Sequence, residues 1–330
     1  MMTTLGSTGL PVSRIGLGMA ALGRPGYINL GHADDLGRDY DVAAMESHAH
    51  EVLDAAWAAG VRYFDAARSY GRGEEFLGRW LRARQIPPAE VTVGSKWGYT
   101  YTAGWQVQAA AHEVKEHSLA VLQRQWRESR ANLGGYLRLY QIHSATLESG
   151  VLDNQEVLAE LARIKGEGVA IGLSLSGPEQ AMVLRKAATI VAGGARLFDC
   201  VQATWNLLEP SAGPVLAQAH ADGMDVIVKE ALANGRLTER NVDPAFAGKR
   251  AILERQADRL GATIDALALA AALAQPWAGV VLSGAATQAQ LASNLRALDV
   301  PWDAEAAAAL ATLAEPPAVY WETRKGLAWN

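Results

Sequence analysis

Along most of the chain, short runs of β-branched and apolar residues alternate with stretches whose apolar residues recur every three or four positions. This is the pattern of strands followed by amphipathic helices. A helix is predicted over 47–59, ending at Gly60, with Val61-Arg-Tyr-Phe-Asp65 as the strand behind it. A helix over 73–85, opened by Glu74 and Glu75 and closed by Pro87-Pro88, leads to strand Val91–Lys96. Helix 118–133 carries Leu119, Leu122, Trp126 and Leu133 on one face, stops at Gly134-Gly135 and precedes strand Leu137–His143. Helix 154–167, capped by Asp153, leads to strand Val169–Ser174, and helix 178–191 to strand Asp199–Gln202. Helix 213–222 precedes strand Asp225–Lys229, and the double helical stretch 248–260 and 263–275 precedes strand Gly279–Ser283. Helices 287–297 and 303–314 follow, then a Pro-Pro and aromatic tail over 316–330.

Ahead of this series, residues 3–14 read as a small hairpin turning at Ser7-Thr8-Gly9, and a first strand lies at 15–19. Gly16-x-Gly18-x-x-Ala21 matches a dinucleotide fingerprint, but no helix starts at once to meet a pyrophosphate, because Arg24-Pro25-Gly26-Tyr27 intervenes. A Rossmann reading is therefore rejected, and 24–46 is predicted to be a long loop of the kind that is either a functional lid or disordered. Eight strands separated by helices imply parallel pairing, and eight such units in 330 residues argue for a closed (β/α)₈ TIM barrel over an open sheet. With no linker or composition break, residues 1–330 are expected to form one domain, with an N-terminal β-hairpin and a C-terminal loop and helix extension.

Composition narrows the classes of function. Half of the residues are hydrophobic and the net charge is −5, an ordinary profile for a cytoplasmic protein, which is the expected location. There is no basic stripe for nucleic acid or anionic membrane, no signal-peptide pattern at Met-Met-Thr-Thr-Leu-Gly, and no apolar run near the ~18 residues of a spanning helix. The lone Cys200 excludes an intrachain disulfide and sits in apolar company.

In a (β/α)₈ barrel, chemistry sits at the C-terminal strand ends. Those ends carry Asp65, Lys96, His143, Ser174, Gln202, Lys229 and Ser283, with Tyr70 five residues beyond Asp65. A lysine beside a phenol stabilises phenolate and so lowers the tyrosine pKa, an aspartate compensates the buried ammonium, and a histidine orients a carbonyl oxygen. Together they suit proton transfer to an oxygen gaining negative charge.

At Phe64-Asp65-Ala-Ala-Arg-Ser-Tyr70-Gly71, Gly94-Ser95-Lys96-Trp97-Gly98, Leu139-Tyr140-Gln141-Ile142-His143-Ser144, Gln202-Ala-Thr-Trp-Asn206 and Leu282-Ser-Gly-Ala-Ala-Thr287…Gln290-Leu-Ala-Ser-Asn294, the sequence resembles the aldo-keto reductase superfamily. The resemblance implies Tyr70 as general acid/base, Lys96 and Asp65 as its tuning pair and His143 as the carbonyl positioner. It also implies hydride transfer between a nicotinamide and a carbonyl or alcohol carbon. For the cofactor it points to Ser174 and Gln202 at the nicotinamide amide. It points to Leu232, Asn234, Gly235 and Arg236 near the pyrophosphate, and to Ser283, Gly284, Ala285, Thr287, Gln290 and Asn294 at the last strand end. Two positions depart from the family pattern: Leu175 replaces an asparagine, and Lys229 stands where an aromatic usually stacks on the nicotinamide. Basic residues usual for a 2′-phosphate are absent around Gln290, so NADPH is the superfamily default and NADH its rival. Tyr27, Trp97, Tyr99, Trp205 and Trp321 are candidate walls of a substrate pocket.

His112-Glu113-Val-Lys-Glu-His117 has its histidines five apart, not the four of a zinc-binding helix, and no metal site is assigned. The main expectation is an NAD(P)H-dependent reductase of a small-molecule aldehyde or ketone, or the reverse reaction. A cofactor-binding sensor or regulatory subunit with little turnover is the alternative.

Overall fold

Strands that are apolar on both faces need cover on both sides, and this chain supplies it with side chains inside a cylinder and helices outside it. The computed structural model describes residues 2–330. Eight parallel strands close a barrel in sequence order: β1 Ile15–Gly18, β2 Tyr63–Asp65, β3 Thr92–Trp97, β4 Leu137–Ala145, β5 Ala170–Leu175, β6 Cys200–Thr204, β7 Asp225–Lys229 and β8 Val280–Ser283. Closure comes from β8 pairing with β1, Val281 opposite Ile15 and Ser283 opposite Leu17. The outer helices are α1 Val42–Ala58, α2 Gly73–Ala83, α3 Leu119–Leu133, α4 Gln155–Gly166, α5 Gln180–Ala188, α6 Gly213–Ala221, α7 Ala247–Leu260, α8 Ile264–Leu273, α9 Gln288–Leu295 and α10 Ala304–Ala311. The fold is the (β/α)₈ TIM barrel expected from the alternation.

The hairpin of Met2–Leu5 and Leu10–Ser13 lies at the N-terminal end of the barrel. Leu5, Leu10 and Val12 join Tyr63, Leu139, Cys200, Ile227 and Val280 in a core inside the strands, and Thr92 Oγ1 donates to the Pro11 carbonyl at 2.7 Å. The hairpin thus plugs one end and leaves the other for chemistry.

Several boundaries differ from the sequence expectation. Helix α1 begins at Val42 because the Asp41 carboxylate accepts from the Ala43 and Ala44 amides at 2.9 and 3.0 Å. The loop before it is correspondingly shorter and contains one helical turn, His32–Asp35. Segment 97–117 contains an antiparallel hairpin, Tyr99–Tyr101 with Glu113–Lys115, and a second hairpin, Val191–Ala192 with Ala195–Arg196, ends the segment predicted as helix to 191. The aromatic tail is partly helical: α11 runs from Pro317 to Lys325 and buries Tyr320 and Trp321. Beyond it Asn330 and Tyr27 exchange backbone hydrogen bonds at 3.0 and 3.1 Å, which ties the tail to the loop after β1. Among the described residues, no helix is long and apolar enough to cross a membrane.

Candidate active site

Strand β2 ends inside the barrel at Asp65, and on β3 the pleat turns Lys96 inward and Trp97 outward. The Lys96 ammonium contacts Asp65 Oδ2 and donates to the Ala66 carbonyl at 2.9 Å and the Tyr70 hydroxyl at 3.4 Å. Asp65 Oδ1 accepts from Gln202 Nε2 at 2.8 Å and from the Tyr63 hydroxyl at 3.2 Å. Lys96 and Asp65 are almost completely buried, where an ion pair is stable only if its remaining lone pairs and protons find partners; here they do.

Tyr70 reaches the same spot because the turn after β2 stays tied to β3. The Ala66 amide donates to the Gly94 carbonyl and the Arg68 amide to the Lys96 carbonyl, at 2.8 and 3.0 Å. Gly71, at φ 56°, and Gly23 then pack backbone on backbone; a Cβ on Gly23 would stand 2.3 Å from the Tyr70 carbonyl oxygen. His143 arrives from β4, where the pairing with β5 slips between Ile142 and Ala145. Its ring meets Tyr70 edge-on at 5.7 Å and Tyr99 at 4.9 Å, and its Nδ1 is 3.5 Å from Ser69 Oγ.

The electrostatics follow from burial. Burial, reinforced by the Asp65 charge, pushes the Tyr70 phenol above the ordinary tyrosine range, and Arg24 opposes that push. The sequence led to the opposite expectation, a pKa lowered by Lys96; contact with Asp65 leaves the Lys96 charge largely compensated, so desolvation prevails. Burial, with Lys96, Lys229 and Arg24 adding to it, holds His143 well below its usual value and hence neutral. The cluster thus presents a protonated phenol and an uncharged imidazole.

These groups lie at the floor of a cavity of about 660 Å³, a size ordinary for ligand sites. Asp65, Tyr70 and His143 line it, while Lys96 lies behind them. Of the residues assigned to a cofactor, Gln202, Lys229, Leu232, Asn234, Gly235, Ser283, Gly284, Ala285, Gln290 and Asn294 line the same cavity. Three do not. Ser174 Oγ accepts from the Ser144 amide at 2.8 Å, because Ser144 is left-handed at the β4 slip, and Ser176 stands on the cavity wall instead. Arg236 is held off the wall by Glu315 at 2.7 Å, and Thr287 caps α9 by accepting from the Gln290 amide at 3.2 Å.

Of the candidate substrate walls, Tyr27 and Tyr99 line the cavity. Trp97 does not: it is the outward neighbour of Lys96 and packs on His117 at 5.5 Å. Trp205 packs on Trp277 at 5.9 Å, and Trp321 lies buried with the Lys229 ammonium 5.8 Å from its ring centre. Lys229 itself donates to Thr204 Oγ1 at 2.6 Å, and burial lowers it to about 8.

The structure brings in residues the sequence did not single out. Glu230, left-handed at φ 57°, accepts from Arg324 Nε at 2.8 Å and Nη2 at 2.5 Å. Burial works to raise its pKa, but Arg324 and Lys229 hold it at about 2. Arg24, Glu113 and Trp329 complete the wall beside Tyr27. A second charge directly after Lys229 at a strand end was a readable signal for Glu230, whereas Arg324 and Trp329 come from the tail with no local motif. The two histidines of the zinc-like run serve separately, His112 Nε2 with the Val107 carbonyl and His117 Nε2 with the His143 carbonyl, both at 2.9 Å.

A nicotinamide dinucleotide fits the polar lining of this groove. Asn234, left-handed and on the wall, has a buried side-chain oxygen with no protein partner. Gly284 also lines the groove, where a Cβ would find only Asn29 Nδ2 at 3.8 Å.

Comparison with known proteins places the chain among the oxidoreductases built on this barrel. The Aldo/keto reductase family profile matches residues 14–315, and the chain belongs to that family. It is 26% identical over 314 residues to the oxidoreductase YqkF of Bacillus subtilis, covering 89% of each chain. It is 24% identical over 305 residues to L-galactose dehydrogenase of Arabidopsis thaliana, covering 89% of this chain and 86% of that one. The fold superposes on the holo form of the aldo-keto reductase AKR11C1 from Bacillus halodurans with a TM-score of 0.74, at 21% identity and 96% coverage of both chains. The protein is accordingly an oxidoreductase of the carbonyl-reducing class.

Proposed function

We propose that this protein interconverts a small polar carbonyl compound and its alcohol with a nicotinamide dinucleotide, using Tyr70 as the proton donor and acceptor. The observation that carries the reading is the meeting of Asp65, Tyr70, Lys96 and His143 at the floor of one cavity whose other arm reaches β7 and β8. The dinucleotide supplies hydride. Neutral His143 holds the carbonyl oxygen, and the Tyr70 O–H bond breaks as a proton passes to that oxygen in reduction. Lys96, kept in place by Asp65 and Ala66, stabilises the phenolate that remains. Gln202 supports this cluster through its bond to Asp65, and its amide nitrogen serves there as well as at any nicotinamide.

The substrate class follows from the wall: Lys229, Glu230 and Arg324 give charged partners for hydroxyl or ionic groups. An L-galactose dehydrogenase among the relatives agrees with a hydroxylated substrate. Of the two cofactors, NADH suits the lining better than NADPH. The arm beyond Gly284 is lined by Asp35, Glu239 and Asp265, and Arg240 there is already paired with Asp35 at 2.5 Å. Carboxylates accept from ribose hydroxyls and repel a 2′-phosphate.

The test is a titration of tryptophan fluorescence with NADH and NADPH, followed by turnover of hydroxylated aldehydes. Tighter binding of NADH with turnover supports the reading; binding of neither dinucleotide overturns it.

A further inference from the structure

The loop after β1 lays a second cation against the acid. Arg24 is 3% exposed, and its guanidinium carbon lies 5.2 Å from the Tyr70 ring centre, 4.9 Å from that of Tyr27 and 4.8 Å from that of Trp329. Its Nη1 donates to the Ser69 carbonyl at 3.0 Å and to Glu113 Oε2 at 3.1 Å, and its Nε has no protein partner. The position is built rather than incidental. The Arg72 amide donates to the Gly23 carbonyl at 2.8 Å, and a Cβ on Gly71 would stand 2.4 Å from the Gly23 carbonyl oxygen and 3.0 Å from Arg24 Cβ. The two turns can therefore approach so closely only as glycines.

We propose that Arg24 is a positioning residue for proton transfer, a buried cation whose field favours the Tyr70 phenolate and whose strength is set by Glu113. The proposal rests on Tyr70 being the acid. The two cations beside the phenol differ in what is left of their charge. Lys96, 4.8 Å from the Tyr70 ring centre, is in direct contact with Asp65, which is as buried as itself. Arg24 faces Glu113, whose side chain is 26% exposed, so water screens the counter-charge more than the cation. When Tyr70 gives its proton to the substrate oxygen, its O–H bond breaks, the new O–H bond forms on the substrate, and the negative charge stays on the phenol beside Arg24.

The groups facing Tyr70 are Asp65 and Lys96 from the barrel floor, His143 from β4, Glu113 from the hairpin, Glu230 from the end of β7, and Arg24 and Tyr27 from the loop after β1. Among them, Arg24 and Glu113 act on the phenol with opposite sign.

That opposition gives the test. Parent, Arg24→Gln, Arg24→Lys, Glu113→Gln and Tyr70→Phe are compared in the pH dependence of kcat for carbonyl reduction. The alkaline absorbance of tyrosinate is followed in parallel, with the Tyr70→Phe spectrum subtracted to isolate one phenol among nine tyrosines. Arg24→Gln is expected to lower kcat on the order of tenfold with KM little changed, and to move the Tyr70 titration to higher pH. Glu113→Gln moves it to lower pH, and Arg24→Lys stays close to the parent. Shifts of the same direction in Arg24→Gln and Glu113→Gln, or equal losses in Arg24→Gln and Arg24→Lys with no titration change, overturn the proposal. Unreduced turnover in Tyr70→Phe would instead sink the acid assignment beneath it, so the two failures are distinguishable.

Discussion

Removing Arg324 should expose how strongly the tail is bound to the barrel mouth. The Glu230 carboxylate has only 9% of its side chain exposed and is held by Arg324 at 2.5 and 2.8 Å, with Lys229 further away at 3.4 Å. Burial alone would raise this carboxyl, yet its partners keep it at about 2 against an ordinary 4.5, a difference worth roughly 3 kcal/mol. Because the folded pKa lies below the unfolded one, this stabilisation is complete above about 4.5 and is lost as the pH falls through about 2. Arg324→Met therefore leaves a buried carboxylate with Lys229 as its only charged partner, and urea unfolding at pH 7 followed by tryptophan fluorescence should show a loss of about 3 kcal/mol. The double variant Arg324→Met, Glu230→Gln should recover at least half, because it removes the stranded charge as well. A loss below about 1 kcal/mol, the size of an exposed pair, would refute the reasoning, as would a double variant no more stable than the single one.

Three further outcomes are expected. Lys96→Met strands Asp65, so it should cost about 3–5 kcal/mol in unfolding and at least about 100-fold in kcat; normal stability with normal turnover contradicts the assigned role. His32 and His117 are lowered by burial to about 4, and His143 is lowered as well. The folded state binds fewer protons than the unfolded one, so stability is full above about 6.5 and falls toward pH 4, by roughly 3 kcal/mol for each of the first two. Urea midpoints that stay flat between pH 7 and 4.5 would deny it. Asp35→Asn, which removes a carboxylate bonded by Gln290 at 2.9 Å, should narrow the preference for NADH over NADPH in fluorescence titrations, and an unchanged ratio would clear Asp35 of that selection.

The barrel was legible because each strand is a short apolar run bounded by a helix stop, and that information is local. Asp65 and Tyr70 were legible together because one turn carries both, and Lys96 and His143 because strand ends converge in this fold. Trp97 was misplaced as a pocket wall although the pleat forbids it: consecutive strand residues face opposite sides, and Lys96 already faces inward. Residue 42 as the start of α1 was missed because Asp41 signals the cap while Val42-Ala-Ala carries no clear helical periodicity. Hairpin Tyr99–Tyr101 with Glu113–Lys115 was missed for another reason, since its strands are three residues long and half exposed. Arg24 meets Trp329 and Glu230 meets Arg324 only through long-range packing, and no window of sequence contains either pair.

The proposed proton transfer depends most directly on one phenol. Tyr70→Phe keeps the ring that packs on His143 and removes only the hydroxyl beside Lys96. Dinucleotide binding by fluorescence should persist while kcat for carbonyl reduction falls at least about 100-fold. Binding retained with turnover equal to the parent would contradict the mechanism.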